Sequence, residues 1–219
     1  ADDAIVASLP TAAQFNASIN AGFSLDGNVF LTKANAKALR NPGLDFLFGL
    51  SDGTITFNDQ FAFDYDNSNG VTHGTMDFET VAAHEIGHTL GFFSMVDTID
   101  ADISTPGAIG ISTLDLFRFP ANAGVTAGNF STATRSLVAG QEAEFSDAQH
   151  RFNFSTGVAN GDGRQASHWK DDALLAQTIG TMDPTLGYVQ VFPITYADLR
   201  ALDVIGWDFT AVPEPASIG

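Results

Sequence analysis

The sequence predicts a single α/β domain of the α+β class, in which a twisted sheet packs with one central helix. In the first half, residues 28–32 have the composition of a strand, residues 53–58 form a β-rich run with apolar alternation, and a helical run at 34–40 lies between them. Near the end, Thr195 and Asp198 have the capping-box spacing that opens an amphipathic helix at 195–202. With 219 residues, the chain is long enough to bury one core of good size.

The rest of the chain predicts short elements joined by loops. Residues 120–165 are rich in Gly, Ser, Thr, Asn and Ala, so we expect an insertion of short strands and loops without a core of its own. The other predicted elements are short helices at 3–9 and 12–21, extended chain at 61–66, a turn at 67–70, a loop at 93–106 and a strand at 114–119.

The composition excludes several classes of protein. Acidic residues outnumber basic ones by 26 to 9, and a net charge of −17 repels nucleic-acid phosphates and anionic membranes. The chain has no cysteine, so disulfides and thiolate metal ligands are absent. No apolar run reaches the length of a membrane span, and the N-terminus lacks the pattern of an export signal, which we expect to be missing or already removed.

The central helix carries the sequence His-Glu-Ile-Gly-His at residues 84–88. Asp77 is placed to cap its N-terminus, and Gly91 is placed to end it. His84 and His88 are four residues apart and therefore share one face, where two imidazoles can bind one Zn²⁺. Glu85 lies beside the metal and can accept a proton from water as a general base. This pattern is typical of zinc-dependent peptide hydrolysis.

A catalytic zinc needs three protein ligands and one open position. Of the remaining histidines, only His168 is flanked by a polar loop and an indole that could fix its ring, so we favour it as the third ligand. The alternative is that His168 is an ordinary surface histidine. We expect His73 and His150 not to bind the metal.

Calcium is a second candidate cofactor. Asp64 and Asp66 precede an Asn- and Gly-rich stretch and could offer carboxylate oxygens to Ca²⁺. The spacing does not match the EF-hand loop, and a plain turn is the favoured interpretation.

The segments HEIGHTLGF, SHW and TMDP together resemble the metzincin clan of zinc metalloproteases, whose pattern is H-E-x-x-H-x-x-G-x-x-H followed by a Met-turn. The match extends through Gly91, but Ser94 occupies the position of the third histidine. Leishmanolysin-like metzincins are similar in carrying an insertion before that histidine. The resemblance implies a metzincin-like zincin fold with a C-terminal Met-turn subdomain, and it implies these roles: His84, His88 and His168 as ligands, Glu85 as base, Met182 as Met-turn, and Tyr188 as a candidate transition-state donor.

The final residues 212–217, Val-Pro-Glu-Pro-Ala-Ser, resemble the start of a PEP-CTERM sorting signal, and residues 53–217 resemble PEP-CTERM-associated bacterial metalloproteases. This implies an exported protein, extracellular or on the cell surface of a Gram-negative bacterium. We therefore expect one catalytic domain at 1–211, with subdomains at 1–92 and 93–211, followed by a Pro-rich tail at 212–219.

These observations predict a zinc-dependent endopeptidase that acts on peptides or proteins. The alternative is a non-catalytic, zinc- or calcium-stabilised protein of the cell surface or matrix. That alternative predicts a closed site with four protein ligands, in which Asp171 or Asp172 is the fourth.

Overall fold

The computed structural model describes residues 4–208 and shows a mixed fold of the α+β class. The helices are α1 (Lys33–Ala38), α2 (Leu44–Phe48), α3 (Phe78–Leu90), α4 (Val96–Ala101), α5 (Asp172–Leu175) and α6 (Tyr196–Val204). The strands are β1 (Ala17–Ile19), β2 (Ser24–Phe30), β3 (Phe63–Asp64), β4 (Met76–Asp77), β5 (Ala108–Ser112), β6 (Arg118–Pro120), β7 (Arg135–Leu137), β8 (Ala143–Ser146) and β9 (Arg151–Phe154). Short 3₁₀ turns cover Val6–Ser8, Asn67–Asn69 and Leu114–Phe117.

The prediction of one twisted sheet is wrong for the described residues, because their strands form four small sheets. Three are parallel pairs that join β1 to β7, β2 to β5 and β3 to β4. The fourth is antiparallel, with the order β6-β8-β9. The pair of β3 and β4 has only two residues in register, and the pairing of β2 with β5 shifts between Leu25 and Val29. Such short or interrupted ladders do not extend into one continuous sheet.

Two predictions for the first sixty residues are wrong. The helix predicted at 12–21 is replaced by β1, in which Ala17 and Ile19 pack against a buried apolar cluster. Alternation with a period of two therefore overrides the helix propensity of the alanines. The strand predicted at 53–58 has no regular structure, because this segment lies along α3: the ring of Phe57 packs on Phe78 with centroids 4.9 Å apart.

Two later predictions also need correction. The loop predicted at 93–106 contains α4, whose Val96 and Ile99 are three residues apart and both fully buried. The strand predicted at 114–119 begins as a 3₁₀ turn and becomes extended only at Arg118. Asp115 explains the turn, because its buried carboxylate accepts hydrogen bonds from the backbone N–H of Met95 at 3.0 Å and of Ser112 at 2.8 Å.

The capped helices agree with the sequence. Asp77 accepts a hydrogen bond from the backbone N–H of Thr80 at the start of α3, and Gly91 ends the helix in the left-handed conformation. Thr195 and Asp198 form the predicted capping box of α6. The helix predicted at 34–40 is present as α1. Residues 209–219, which include the predicted Pro-rich tail, lie outside the described residues.

The main apolar core packs the end of α3 against the C-terminal part of the chain. Its buried members include Phe92, Trp169, Met182 and Ile205. Asn35 on α1 ties the same parts together, since its side-chain amide donates to the carbonyl of Ile205 at 2.8 Å. No helix within residues 4–208 has the length and apolar character needed to cross a membrane.

Gly91 offers a direct test of how α3 ends. Its φ is +115°, and a Cβ added there would lie 2.9 Å from the Cβ of Asn35. We expect Gly91→Ala to lower the free energy of unfolding by about 1–3 kcal/mol, because it combines backbone strain with a close contact. Gly128→Ala is the control, since an added Cβ meets only the Thr126 hydroxyl at 3.8 Å. Equal midpoints in denaturant titrations of the two variants would contradict this account.

Candidate metal centre

Three histidine rings converge on one point. The Nε2 atoms of His84 and His88 are 3.1 Å apart, and they lie 3.1 and 3.2 Å from the Nε2 atom of His168. Helix α3 supplies two of these rings, and the loop between β9 and α5 supplies the third. The structure thus brings together the three residues that the sequence predicts as zinc ligands, across 80 residues of chain.

Each ring is oriented by a backbone carbonyl at its other nitrogen. The Nδ1 atom of His84 is 2.9 Å from the carbonyl oxygen of Thr181. The Nδ1 atom of His88 is 2.7 Å from the carbonyl oxygen of Phe92. The Nδ1 atom of His168 is 3.2 Å from the carbonyl oxygen of Gln165. A carbonyl oxygen can only accept, so each Nδ1 carries the proton. The three Nε2 lone pairs therefore point towards one another.

The environment of His88 and His168 favours the neutral form of these two rings. Burial lowers the pKa of His88, and burial together with the neighbouring rings of His88 and His84 lowers the pKa of His168 to about 3. Neutral imidazole is the ligand form, so protons compete weakly with a cation at these two rings at neutral pH.

The spacing of the nitrogens fits a zinc ion. Ligands of a tetrahedral zinc at about 2.0–2.1 Å are about 3.3 Å from each other, close to the separations observed here. The three neutral rings cannot satisfy one another, because each has its only N–H on Nδ1. A cation that accepts three lone pairs would resolve this arrangement, and Zn²⁺ is one of the first-row metals that imidazole ligands suit.

Gly87 lets the turn at Met182 pack directly under the metal-binding helix. A Cβ at Gly87 would lie 2.4 Å from the Sδ atom of Met182, whose side chain is fully buried. The position before His88 in the motif is therefore small because the methionine occupies the space beside it. Met182 lies against the turn of α3 that carries both histidines.

A single buried carboxylate holds this turn in place. Asp198 accepts hydrogen bonds from the backbone N–H groups of Thr181 at 2.9 Å and Met182 at 3.2 Å. It also accepts from the indole N–H of Trp169 at 2.8 Å and from the backbone N–H of Thr195 at 2.7 Å. Asp198, the acidic member of the α6 capping box, thereby fixes the turn whose Thr181 carbonyl orients His84.

A second carboxylate positions the loop of His168. Asp97 on α4 accepts from the backbone N–H of Ala166 at 2.5 Å and of Ser167 at 3.0 Å. The hydroxyl of Ser167 donates to Asp97 as well, and it accepts from the backbone N–H of Ser94 at 2.9 Å. Burial raises the pKa of Asp97, although these donors oppose the shift. The segment that follows α3 thus holds the loop of His168 beside His84 and His88.

Glu85 lies at an open cleft beside the three rings. A cavity of about 470 Å³ is lined by Glu85, all three histidines, Arg164 and Gln165. A second cavity of about 160 Å³ adjoins it, and His84, Glu85 and Pro184 line both. A carboxylate next to the histidine cluster, with space on two sides, is suited to proton transfer at a bound substrate.

Other candidate residues lie elsewhere. Ser94, at the clan's third ligand position, is buried and donates its hydroxyl to Asp115 at 2.6 Å. Tyr188 is exposed and does not line either cavity at the cluster. His73 and His150 do not belong to the histidine group found among the described residues.

The two aspartates considered as candidate calcium ligands accept hydrogen bonds within local turns. Asp64 accepts from the backbone N–H of Asp66 at 3.0 Å and of Thr72 at 2.7 Å, while Asp66 accepts from Ser68 at 3.1 Å. Neither aspartate belongs to the two groups of clustered ligand side chains found among the described residues. The turn interpretation accounts for these contacts.

Sequence reasoning assigned no role at the candidate site to three aspartates that lie close to it. Asp97 and Asp198 orient the site, and Asp183 lines the smaller cavity. For Asp198 a signal existed, because its capping box follows the methionine turn closely. Nothing local distinguishes Asp97 or Asp183 from other acidic loop residues, since their roles depend on contacts across the fold.

Removing the third ligand tests the centre. We expect His168→Ala to reduce bound zinc from about one per chain to well below that, because two histidines hold the metal weakly. The measurement is metal content by mass spectrometry after dialysis. His150→Ala is the control, because that ring pairs with Asp147 at 3.0 Å outside the cluster. Full zinc in the His168 variant would contradict the assignment.

Removing the carboxylate of Asp198 tests the contacts that hold the methionine turn against the histidine cluster. Asp198→Ala leaves four N–H groups without an acceptor in a buried site, so we expect a loss of about 3 kcal/mol in the free energy of unfolding. We also expect a loss of about 10- to 100-fold in zinc affinity, as for other outer-shell partners.

Asp203→Ala is the matched control on the same helix, because Asp203 is partly exposed and pairs with Arg200. Its expected cost is below about 1 kcal/mol. Equal unfolding midpoints and equal zinc affinities in the two variants would remove Asp198 from this role.

Comparison of the chain with protein-family models, with curated proteins and with solved structures gave no significant match. The assignment of this centre therefore depends on its own residues and their geometry.

Proposed function

We propose that this protein is a zinc-dependent endopeptidase of metzincin-like architecture. The observation that carries the proposal is the convergence of three Nε2 atoms at 3.1–3.2 Å, with Glu85 beside them in an open cleft. The packing of Met182 beneath Gly87 adds support, because it matches the order of ligand helix and methionine turn expected from the sequence.

His84, His88 and His168 would hold the metal, leaving one side of the cluster open to the cleft. When bound there, zinc supplies a Lewis acid that polarises a peptide carbonyl and lowers the pKa of water. Glu85 takes the proton of the attacking water and delivers it to the nitrogen of the leaving amine. The carbonyls of Thr181, Phe92 and Gln165 hold the rings in one tautomer throughout.

The cleft suits an extended peptide. Its two cavities meet at His84, Glu85 and Pro184, so a chain that crosses Glu85 would place side chains on both sides of the cleaved bond. Rigid elements surround this crossing point, with α3 on one side and the turn fixed by Asp198 on the other. Such support favours a single productive geometry of substrate and base.

The contacts favour a catalytic over a structural zinc site. A closed site needs a fourth protein ligand, but the histidine group found among the described residues has three members. Asp171, one candidate for the fourth, accepts from the backbone N–H of Ala173 at 2.8 Å and pairs with Arg164. Asp171 and Asp172 cluster with Asp183 and not with the histidines.

We also propose that the protein acts after export, at the surface or in the surroundings of a Gram-negative bacterium. The support is the sequence at 212–217, together with a net charge of −17 that disfavours nucleic acids as partners. Peptides and proteins are the proposed substrates.

Glu85→Gln tests the catalytic role. We expect zinc binding to persist and cleavage of a denatured protein to fall by about 100- to 10,000-fold, because the variant lacks a base. The assay measures new N-termini with and without a zinc chelator, and metal content in the same samples. Glu79→Gln is the control, since Glu79 lies on the exposed side of α3.

Chelator-sensitive cleavage that survives Glu85→Gln would reject Glu85 as the base. A full complement of zinc without cleavage in the unmodified chain would reject the peptidase and favour the surface or matrix protein.

A further inference from the structure

The smaller cavity beside Glu85 combines apolar walls with a buried acid. Val81, Pro184, Leu186 and Phe192 form the apolar part of its lining, and Thr181 and Asp183 are polar members. Its volume of about 160 Å³ is about a third of that of the neighbouring cavity. A space of this shape, open at the catalytic carboxylate, is suited to one side chain of a bound peptide.

Asp183 is buried, and two backbone hydrogen bonds hold its carboxylate in place. Its side chain is 3% exposed, and its two oxygens accept from the backbone N–H groups of Asp172 at 2.9 Å and Thr185 at 3.1 Å. Burial, with smaller contributions from Asp172 and Asp171, raises the pKa of Asp183 to about 6, so the group is still mainly ionised at neutral pH. Asp183 lines the cavity, so it places a negative charge close to the space that a side chain would fill.

The charges around Asp183 do not balance. Ligand oxygens of Asp171, Asp172 and Asp183 lie within 4.8 Å of one another. The only cation paired with this group among the described residues is Arg164, which binds Asp171. Three carboxylates against one guanidinium leave two negative charges in excess in this group, of which Asp183 is the member that lines the cavity.

A second polar group in the lining has no partner. Thr181 is 3% exposed, and its hydroxyl oxygen has no hydrogen-bond partner among the described residues. A buried hydroxyl normally finds a donor or an acceptor. Thr181 lines the cavity, so this unpartnered hydroxyl lies in the layer of residues that surrounds the bound side chain.

We propose that this cavity binds the side chain of a lysine or arginine next to the cleaved peptide bond, with Asp183 as the residue that determines specificity. The methylene stem would contact Val81, Leu186 and Phe192, and the cationic head would pair with Asp183. An apolar side chain would cover this negative charge without supplying an opposite charge, which costs binding energy. This inference rests on the proposed peptidase function and names its substrate class.

The test compares peptides that differ at one residue beside the cleaved bond: lysine, norleucine or glutamate. For the zinc-loaded protein, we expect kcat/KM to be about 10- to 100-fold higher for lysine than for norleucine, the effect of a charged hydrogen bond in an enclosed site. Asp183→Asn, which keeps the shape, should abolish this ratio. Asp172→Asn removes a charge from the same group of carboxylates without altering the cavity lining, so this variant should keep most of the preference for lysine over norleucine.

A second variant protects the test against a folding defect. Leu186→Lys adds an ammonium group to the same lining from a partly exposed position, and we expect it to remove the preference for lysine. Circular dichroism and zinc content establish that each variant is folded. A preference for lysine that persists in both Asp183→Asn and Leu186→Lys would overturn the proposal, and so would equal cleavage of lysine and norleucine peptides by the unmodified protein.

Binding of small probes separates this inference from the peptidase function. We expect n-butylamine, but not n-butanol, to shift the NMR signals of the Val81 and Leu186 methyl groups, and we expect Asp183→Asn to lose this selectivity. If no peptide is cleaved, the peptidase function fails, but the probes still test whether the cavity binds a cationic group. Selective binding of the amine supports that proposal, and equal shifts from both probes overturn it. Cleavage without any lysine preference overturns the inference alone.

Discussion

The carboxylate of Asp198 is the contact on which the organisation of the site depends. It takes N–H donors from the capping position of α6, from the methionine turn and from the indole beside His168. One buried anion thereby fixes a helix, a turn and the aromatic core together. Close approach is essential there, because a Cβ on Gly180 would lie 2.2 Å from one of its oxygens. The ring orientation of His84 follows from the position of this turn.

The ligand cluster is assembled from two directions. Helix α3 presents its two histidines because Asp77 starts it and Gly91 ends it, and the end brings the carbonyl of Phe92 back to His88. The third histidine lies on a loop whose backbone N–H groups donate hydrogen bonds to Asp97. Three lone pairs then face one another without a donor, an arrangement that favours a bound cation. The fold thus stabilises the arrangement of ligands that the proposed zinc site requires.

The sequence predicts the centre better than the scaffold. Residues 84–91 and the capping box of α6 carry their signals locally, so the ligand helix and the last helix are confirmed. His168 lacks such a signal, and resemblance as well as its flanking residues identified it. The sheet could not be predicted, because β1 pairs with β7 more than a hundred residues away. Likewise, Val96 and Ile99 reveal α4 only when the core that buries them is known.

X-ray absorption at the zinc edge of the purified, zinc-loaded protein tests the central claim most directly. We predict about one zinc per chain with three histidine nitrogens at about 2.0–2.1 Å and an oxygen from solvent in the open position. Glu85→Gln should leave this first shell unchanged, because the glutamate is not a ligand. Four protein ligands, fewer than three histidines, or no stoichiometric zinc would contradict the account of an open catalytic centre.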